Sequence, residues 1–241
     1  MIYQSFFPRN RTEHQTAATV VLALLAAATT DPKVHALLVL WVQGVAQILT
    51  DARTAHRAAQ GLWRARHDEL APLDREADGA LRLAEVAIFN KLGAAGVALF
   101  HRLLGVGKLS DVTGGPLAQQ VRLVEDMRAR VEAEPDLHGL PKARLEEVFA
   151  TNTALGAGLA AEQEAKRAWK ASSAALDAAE DNFADGYRVF VRSVVQLLGE
   201  DGAAALLPRF SRSAAKPAEA TAPSDEPTDV DGDETDEAPL G

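Results

Sequence analysis

The chain lacks cysteine and is poor in aromatic residues, which make up 5% of its 241 residues. Without cysteine there are no disulfide scaffolds, thiol nucleophiles, cysteine-ligated zinc sites or iron–sulfur clusters. Strand-like alternation of polar and apolar residues is also missing. The chain is rich in alanine, with 47% hydrophobic and 24% charged residues, and this composition predicts a helical body large enough to bury a core.

A surplus of positive charge is missing as well. The 25 Lys and Arg residues stand against 34 Asp and Glu, which gives a formal charge of -9. The acidic excess lies entirely after Lys216, the last basic residue, so residues 1–216 are balanced in charge. Binding to nucleic acid requires a cationic surface, and we therefore expect no nucleic-acid partner.

The C-terminal segment 211–241 is composed mainly of Ala, Pro, Ser, Thr, Asp and Glu. Such a composition cannot bury enough apolar surface to offset its ordering entropy, so we predict a disordered acidic tail. Its run from Asp229 to Asp233 resembles the first half of an EF-hand calcium loop. Glu234 stands where that loop needs glycine and Leu240 where it needs glutamate, which favours a solubilising or electrostatic tail over a calcium site.

An apolar run at residues 17–28, preceded by Arg9 and Arg11, resembles a secretory signal peptide. Thr12 and Gln15, however, have the spacing of a capping box that starts an ordinary helix. We therefore expect a buried structural helix in a cytoplasmic protein, with export as the alternative. The run is also too short to span a bilayer.

Helix boundaries are marked most clearly by proline and glycine. Asp31 followed by Pro32 predicts an N-cap, so a helix ending near Thr29 is followed at once by another helix in a tight hairpin. Pro72 predicts a kink or break near Ala71, because proline removes a backbone hydrogen bond. The same long helix should end near Gly93 or continue to Leu104.

This long helix carries a heptad pattern of apolar residues, with small alanines that let a partner helix approach closely. The predicted seam consists of Leu38, Trp41, Val45, Ile48, Ala52, Ala55, Ala59 and Leu62. The last helix, from Pro141 towards Gly199, carries apolar residues at similar spacings. A shorter helix is predicted from Pro116 to Glu134.

The two halves of the chain resemble each other when shifted by about 106 residues. The shift superposes Ala55, Ala59, Trp63, Ala65, Leu70, Arg82, Leu92 and Gly93 on Ala161, Ala165, Trp169, Ala171, Leu176, Arg188, Leu198 and Gly199. Internal similarity of this kind predicts a duplicated unit. Two unrelated amphipathic helices are the alternative. A true duplication would place the two long helices side by side about a pseudo-twofold axis, flanked by the short ones.

The sequence thus predicts an all-α protein, an elongated bundle of about four helices, two short and two long. An N-terminal leader (1–11) precedes a first helical hairpin unit (12–104) and a glycine-rich, flexible linker (105–116). A second helical hairpin unit (117–210) and the tail (211–241) complete the chain.

No catalytic, cofactor-binding or metal-binding residues are predicted. None of the six histidines has the spacing to a glutamate or another histidine that helical metal sites use. The segment 105–110 resembles a phosphate loop but lacks its first glycine and the Ser or Thr after Lys108. The adjacent residues His67, Asp68 and Glu69 point in different directions on a helix, which favours a solvated surface. Ser172 and Ser173 lack a strained turn that would expose a nucleophile.

The rare aromatic residues are predicted to anchor the core. Trp41, Trp63 and Trp169 lie on or beside the apolar stripes, and an outward-facing interface anchor is the alternative. Phe6 and Phe7 are expected to pack on the bundle, rather than insert into a partner or touch a membrane.

These features favour a non-enzymatic helical scaffold or adaptor that acts by self-association or by binding another helical protein, with no small-molecule substrate. The first alternative is a membrane-active or envelope-associated protein, in which the apolar hairpin of residues 17–29 and 34–49 inserts. An enzyme with a site at the 105–116 loop is the third reading.

Overall fold

The computed structural model describes residues 6–27, 30–133 and 139–210, and these ranges contain helices and no strand. The protein is all-α, as predicted. The helices are α1 (Arg11–Ala26), α2 (Pro32–Trp41), α3 (Gln43–Leu104), α4 (Ser110–Thr113), α5 (Leu117–Ala133) and α6 (Lys142–Leu206). The predicted disordered tail, with its calcium-like run, lies outside the described residues.

The first helix begins two residues before its predicted capping box. Asn10 is the N-cap and its side chain accepts a hydrogen bond from the Glu13 backbone N–H, while the Arg9 N–H donates to the Glu13 carboxylate. The prediction of Thr12 and Gln15 as the box is therefore wrong, because Asn10 offers an equally good acceptor two residues earlier. Phe6 in the leader is fully buried, as expected.

The second cap was predicted correctly. The Asp31 carboxylate accepts hydrogen bonds from the backbone N–H groups of Lys33 (2.8 Å) and Val34 (3.3 Å), and Pro32 occupies the first turn. The expected continuous helix is interrupted at Val42, whose φ of -126° and ψ of -31° separate α2 from α3.

The predicted break near Ala71 is wrong. Pro72 lies inside α3 and is exposed, so water can bond to the carbonyl that its missing N–H leaves free. The interruption is at Gly93, with φ of 67° and ψ of -160°. Beyond it the chain folds back, because the His101 ring Nε2 lies 2.5 Å from the Glu85 carboxylate. In a straight helix these residues would be about 24 Å apart.

The last helix repeats this interruption at Gly199, with φ of 73° and ψ of 175°. Gly93 and Gly199 are the pair that the shift of 106 residues superposes. A Cβ atom on Gly202 would lie 2.7 Å from the Leu198 Cβ, and one on Gly96 would meet Leu92 in the same way. Both returning segments therefore pack closely on the helix that precedes them.

The two long helices run antiparallel. Trp63 of α3 stacks on Trp169 of α6, with ring centroids 4.7 Å apart and planes inclined by 7°. Arg53 lies level with Glu180, its Nη2 donating to the carboxylate at 3.3 Å. Residue numbers that increase along α3 therefore face residue numbers that decrease along α6. At about 1.5 Å per residue, α3 up to Gly93 is on the order of 75 Å long, which makes the molecule elongated.

A separate core lies at each end of this pair. The α1 end, which joins α1, α2, the beginning of α3 and the end of α6, buries a cluster containing Phe6, Val21, Leu38, Leu49, Phe183, Tyr187, Phe190 and Phe210. The α5 end joins α5, the beginning of α6 and the end of α3, and buries a cluster containing Leu81, Ile88, Phe100, Leu104, Met127, Leu145 and Val148. Each core takes residues from both halves of the chain. We call the stretch between them the waist.

The connection 105–116 is packed, in contrast to the expected flexible linker. It contains the short helix α4, and both Leu109 and Val112 are buried in the core of the α5 end. Arg130 of α5 also donates a hydrogen bond to the Leu103 carbonyl at 2.5 Å. These contacts fix the connection to the bundle.

Candidate functional site

The contact between α3 and α6 follows a heptad stripe next to the predicted seam. The inward positions, seven residues apart, are Val42 at the break between α2 and α3, followed on α3 by Leu49, His56, Trp63, Leu70, Ala77 and Ala84. On α6 they are Val148, Leu155, Glu162, Trp169, Leu176, Phe183 and Phe190. Each α6 position is the α3 position shifted by 106. Trp63 is buried and Trp169 half-buried, as expected for core residues.

At the waist this stripe is polar. The Trp63 indole N–H donates to the Glu162 carboxylate at 2.7 Å, and the His67 ring lies 3.8 Å from the same carboxylate. His56 Nδ1 lies 3.2 Å from the Ser172 hydroxyl. Of the predicted surface cluster, Glu69 is exposed and pairs with Arg66. The contacts of Trp63 and His56 therefore join α3 to α6, whereas the Glu69–Arg66 pair lies within α3.

The predicted seam is only in part an open face of the molecule, because Val45 and Ala52 are half-buried against the core of the α1 end. Leu38 is buried, but Trp41 is 41% exposed, Ile48 55% and Leu62 50%. The expectation that Trp41 anchors the core is wrong, because Val42 takes the inward position beside it. The side chains that share this heptad position form an apolar stripe that none of the described helices covers.

The facing stripe of α6 has small side chains. By the antiparallel register, Trp41, Ile48, Ala55 and Leu62 lie level with Val189, Asn182, Ala175 and Ala168. We call these eight residues the open face. The short helices cover the opposite side. There α1 lies against Arg53 and Arg57, and α5 accepts a hydrogen bond from Asn152 at its Val121 carbonyl.

The open face changes character towards the α5 end. The next positions on α3 are Glu69 and Glu76, both exposed, before the apolar Leu83. Leu83, Val86 and Phe89 are each more than half exposed and form a second outward-facing apolar patch. Contiguous exposed apolar patches are typical of surfaces that contact a partner or a membrane.

The most apolar part of α3 contains this patch. Residues 83–100 form an 18-residue window with a mean hydropathy of 1.5, of which 22% is buried. Among the described helices, α3 alone is long and apolar enough, by length and composition, to cross a membrane.

A groove of about 540 Å³ lies beside the glycine-rich connection. It is lined by Ala94, Val97, Ala98, His101, Arg102, Gly105, Val106 and Gly107. The pair of His101 and Glu85 offers acid–base chemistry at its edge, but no hydroxyl side chain lines it. Sequence reasoning missed this pair, because the fold-back at Gly93 brings its two members together.

Two buried polar sites occupy equivalent places at the two ends. His14 on α1 and Gln120 on α5 differ by 106 in number. Burial lowers the pKa of His14, against the opposing effect of the Glu180 carboxylate. Burial raises the pKa of Asp78, which accepts a hydrogen bond from Gln120 at 3.2 Å, and the nearby carboxylate of Asp74 raises it further. Acid therefore acts differently on the two ends.

Among the described residues, no three His, Asp or Glu side chains are grouped closely enough to hold a metal ion. Comparison of the chain with protein-family models, with curated proteins and with solved structures finds no match.

Proposed function

We propose that the protein is a non-enzymatic helical scaffold or adaptor that acts by self-association or by binding another helix through the open face. The observation that supports this function best is the exposure of Trp41, Ile48 and Leu62 along one heptad stripe. Apolar side chains spaced in this way normally face another helix. The facing alanines of α6 let a further helix pair approach closely.

The size of the open face suits a second copy of the chain. From Trp41 to Leu62 the face is about 32 Å long, and two adjacent helices are about 20 Å wide. Packing of two such faces would bury roughly 1,300 Å² in total, within the range of specific protein interfaces. The product would be a four-helix bundle along the open face.

We further propose that the two halves arose by duplication. The shared shift of 106 residues relates the inward heptad positions, the interrupting glycines and the stacked tryptophans. It also relates the first residue of α1, Arg11, to the first residue of α5, Leu117. The open face is therefore the outer side of a pseudo-twofold pair.

Light scattering coupled to size exclusion tests the association. The wild-type chain should form a dimer whose fraction rises with concentration. The double variant Ile48→Gln/Leu62→Gln should remain monomeric, because it places polar groups in the contact without touching the core. Leu197→Gln, a matched change of a partly exposed leucine outside the open face, should behave like the wild type. A wild-type chain that stays monomeric at every concentration would exclude self-association.

A membrane-active protein is the second candidate function. The proposed hairpin is not its strongest support, because Ala17, Val21 and Val34 are buried in the α1 end. The apolar window at residues 83–100 supports it better, since Val86 and Phe89 project outward. Flotation with anionic and neutral liposomes tests this candidate. If the protein is membrane-active, the wild type should float with the liposomes and Val86→Gln/Phe89→Gln should not. Wild-type chain that stays at the bottom of every gradient would refute this candidate.

A further inference from the structure

A groove between α1 and α3 lies on the side of the helix pair opposite the open face. It comprises two neighbouring cavities of about 180 and 110 Å³, and both are lined by Gln15, Arg53 and Arg57. Arg11 and Glu180 line the larger cavity as well. Three guanidinium groups therefore surround a space that is large enough for a carboxylate side chain.

The arginines are not fully neutralised by the protein. Arg11 pairs with Asp177 and Glu180, and Arg53 shares Glu180 through its Nη2. The Arg53 Nη1 is buried without a hydrogen-bond partner. Arg57 has no ion pair or side-chain hydrogen bond among the described residues. The exposed Arg57 guanidinium can therefore donate to an anion in the groove, and the nearby positive charge of Arg53 would favour that anion.

The architecture does not require these arginines. At the α5 end, the positions that the shift of 106 residues makes equivalent to Arg11, Arg53 and Arg57 are Leu117, Leu159 and Gln163. None of these three positions carries a charge, although Arg128 of α5 packs on the Phe149 ring of α6 elsewhere in the contact. The cationic groove is thus a property of one end.

The chain leaves the described structure at this same end. Phe210, the last described residue, is buried in the same core as Phe6, and the Arg209 guanidinium lies 5.9 Å from the Phe6 ring centroid. The segment that follows has nine carboxylates, beginning at Glu219. Nine residues of extended chain span up to about 30 Å, which covers the few residues of leader between Phe6 and Arg11.

We propose that the acidic segment 219–237 of the same chain docks in this groove, with its carboxylates accepting hydrogen bonds from Arg57 and lying beside the guanidinium groups of Arg11 and Arg53. Tethering favours this occupant over a free anion, because a short linker gives an effective concentration in the range of about 1 mM. In this contact the arginines of the groove neutralise part of the negative charge of the acidic segment. The contact leaves the open face free, so it does not depend on self-association.

The experiment uses the absence of cysteine. A nitroxide on Ser224→Cys in the full chain labels the acidic segment at one site, and amide signals within reach of the label are broadened. At about 50 mM salt, the amides of Gln15, Thr50 and Thr54 should lose most of their intensity, and at about 1 M salt, where charges are screened, they should recover it. The equivalent amides at the α5 end, those of Val121, Gly156 and Ala160, serve as the internal control and should keep theirs.

Two variants sharpen the test. Arg57→Gln changes an exposed residue without an observed partner, so the fold should persist while the broadening at Gln15 and Thr54 is lost. Arg192→Gln, an exposed arginine on α6, should leave the broadening unchanged. Absent or uniform broadening would overturn the proposal. So would broadening found only when isotope-labelled chain is mixed with separate nitroxide-labelled chain, because the occupant would then be the tail of a second copy.

Discussion

The α1 end and the α5 end each pack a short helix on the two long helices, but their cores differ in side-chain volume. Phe183, Tyr187 and Phe190 are fully buried at the α1 end. The equivalent positions at the α5 end are Ala77, Leu81 and Ala84. Both ends nonetheless share the positive-φ glycine and the returning segment behind it. The comparison indicates that two ends with the same heptad register and the same interrupting glycines can differ in side-chain volume and surface charge.

Exchanging residues between equivalent positions should have the largest effect. Phe190→Ala gives the α1 end the residue that the α5 end has at position 84. We expect the free energy of unfolding to fall by about 3–5 kcal/mol, because a fully buried ring leaves a cavity. The reverse exchange, Ala84→Phe, should cost about 1–3 kcal/mol by overpacking. Urea unfolding followed by circular dichroism measures both, and a loss below about 1 kcal/mol for Phe190→Ala would contradict the assigned core.

The interrupting glycines should have similar effects at both ends. Gly93→Ala and Gly199→Ala place a Cβ atom on a backbone that only glycine adopts readily, and each should lower the free energy of unfolding by about 1–3 kcal/mol. Gly61→Ala is the matched control, since Gly61 lies exposed within regular helix and should gain about 0.5–1 kcal/mol. If Gly93→Ala or Gly199→Ala were as stable as the wild type, the fold-back at that glycine would be excluded.

The free energy of unfolding should depend on pH with opposite sign at His14 of the α1 end and at Asp78 of the α5 end. The pKa of His14 is lowered in the folded state, so the unfolded chain binds more protons and stability is lost as the pH falls below about 6.5. The pKa of Asp78 is raised in the folded state, so the folded chain binds more protons here. The stabilisation that Asp78 gives the folded state therefore grows as the pH falls towards 3.8 and is lost as the pH rises through the folded-state pKa.

His14→Gln introduces the residue found at the equivalent position of the α5 end and should reduce the loss of stability in acid. Asp78→Asn should make that loss steeper, because the opposing gain disappears. Unfolding midpoints in urea from pH 7 to pH 4 measure both slopes. Equal slopes for the two variants would show that these groups do not carry the difference between the ends.

Much of the fold could be predicted from the sequence. Asp31 and Pro32 mark a helix start through local hydrogen bonding, which depends on neighbouring residues alone. The shift of 106 residues, read from scattered identities, also selects the pair of glycines that interrupt the long helices. These signals are local or repeated, so one sequence is enough to reveal them.

The site could be predicted only in part, because two heptad stripes lie side by side on α3. The more apolar one, through Ile48, resembles the core seam. The stripe that is actually buried contains His56 and Trp63, and their partners Ser172 and Glu162 lie on another helix. Pairing of polar groups across the helix contact makes burial possible, and a single sequence does not show which groups will meet. The same reason explains why the arginine groove was missed.

Thiol labelling of the open face tests the central claim most directly. Single cysteines at Ile48→Cys and at the exposed equivalent position, Ala154→Cys, should react with a maleimide at similar rates in dilute protein. As the concentration of the full chain rises, the reaction at position 48 should slow in step with dimer formation, while that at position 154 should not. Equal rates at both positions at every concentration would contradict the assignment of the open face as the surface of association.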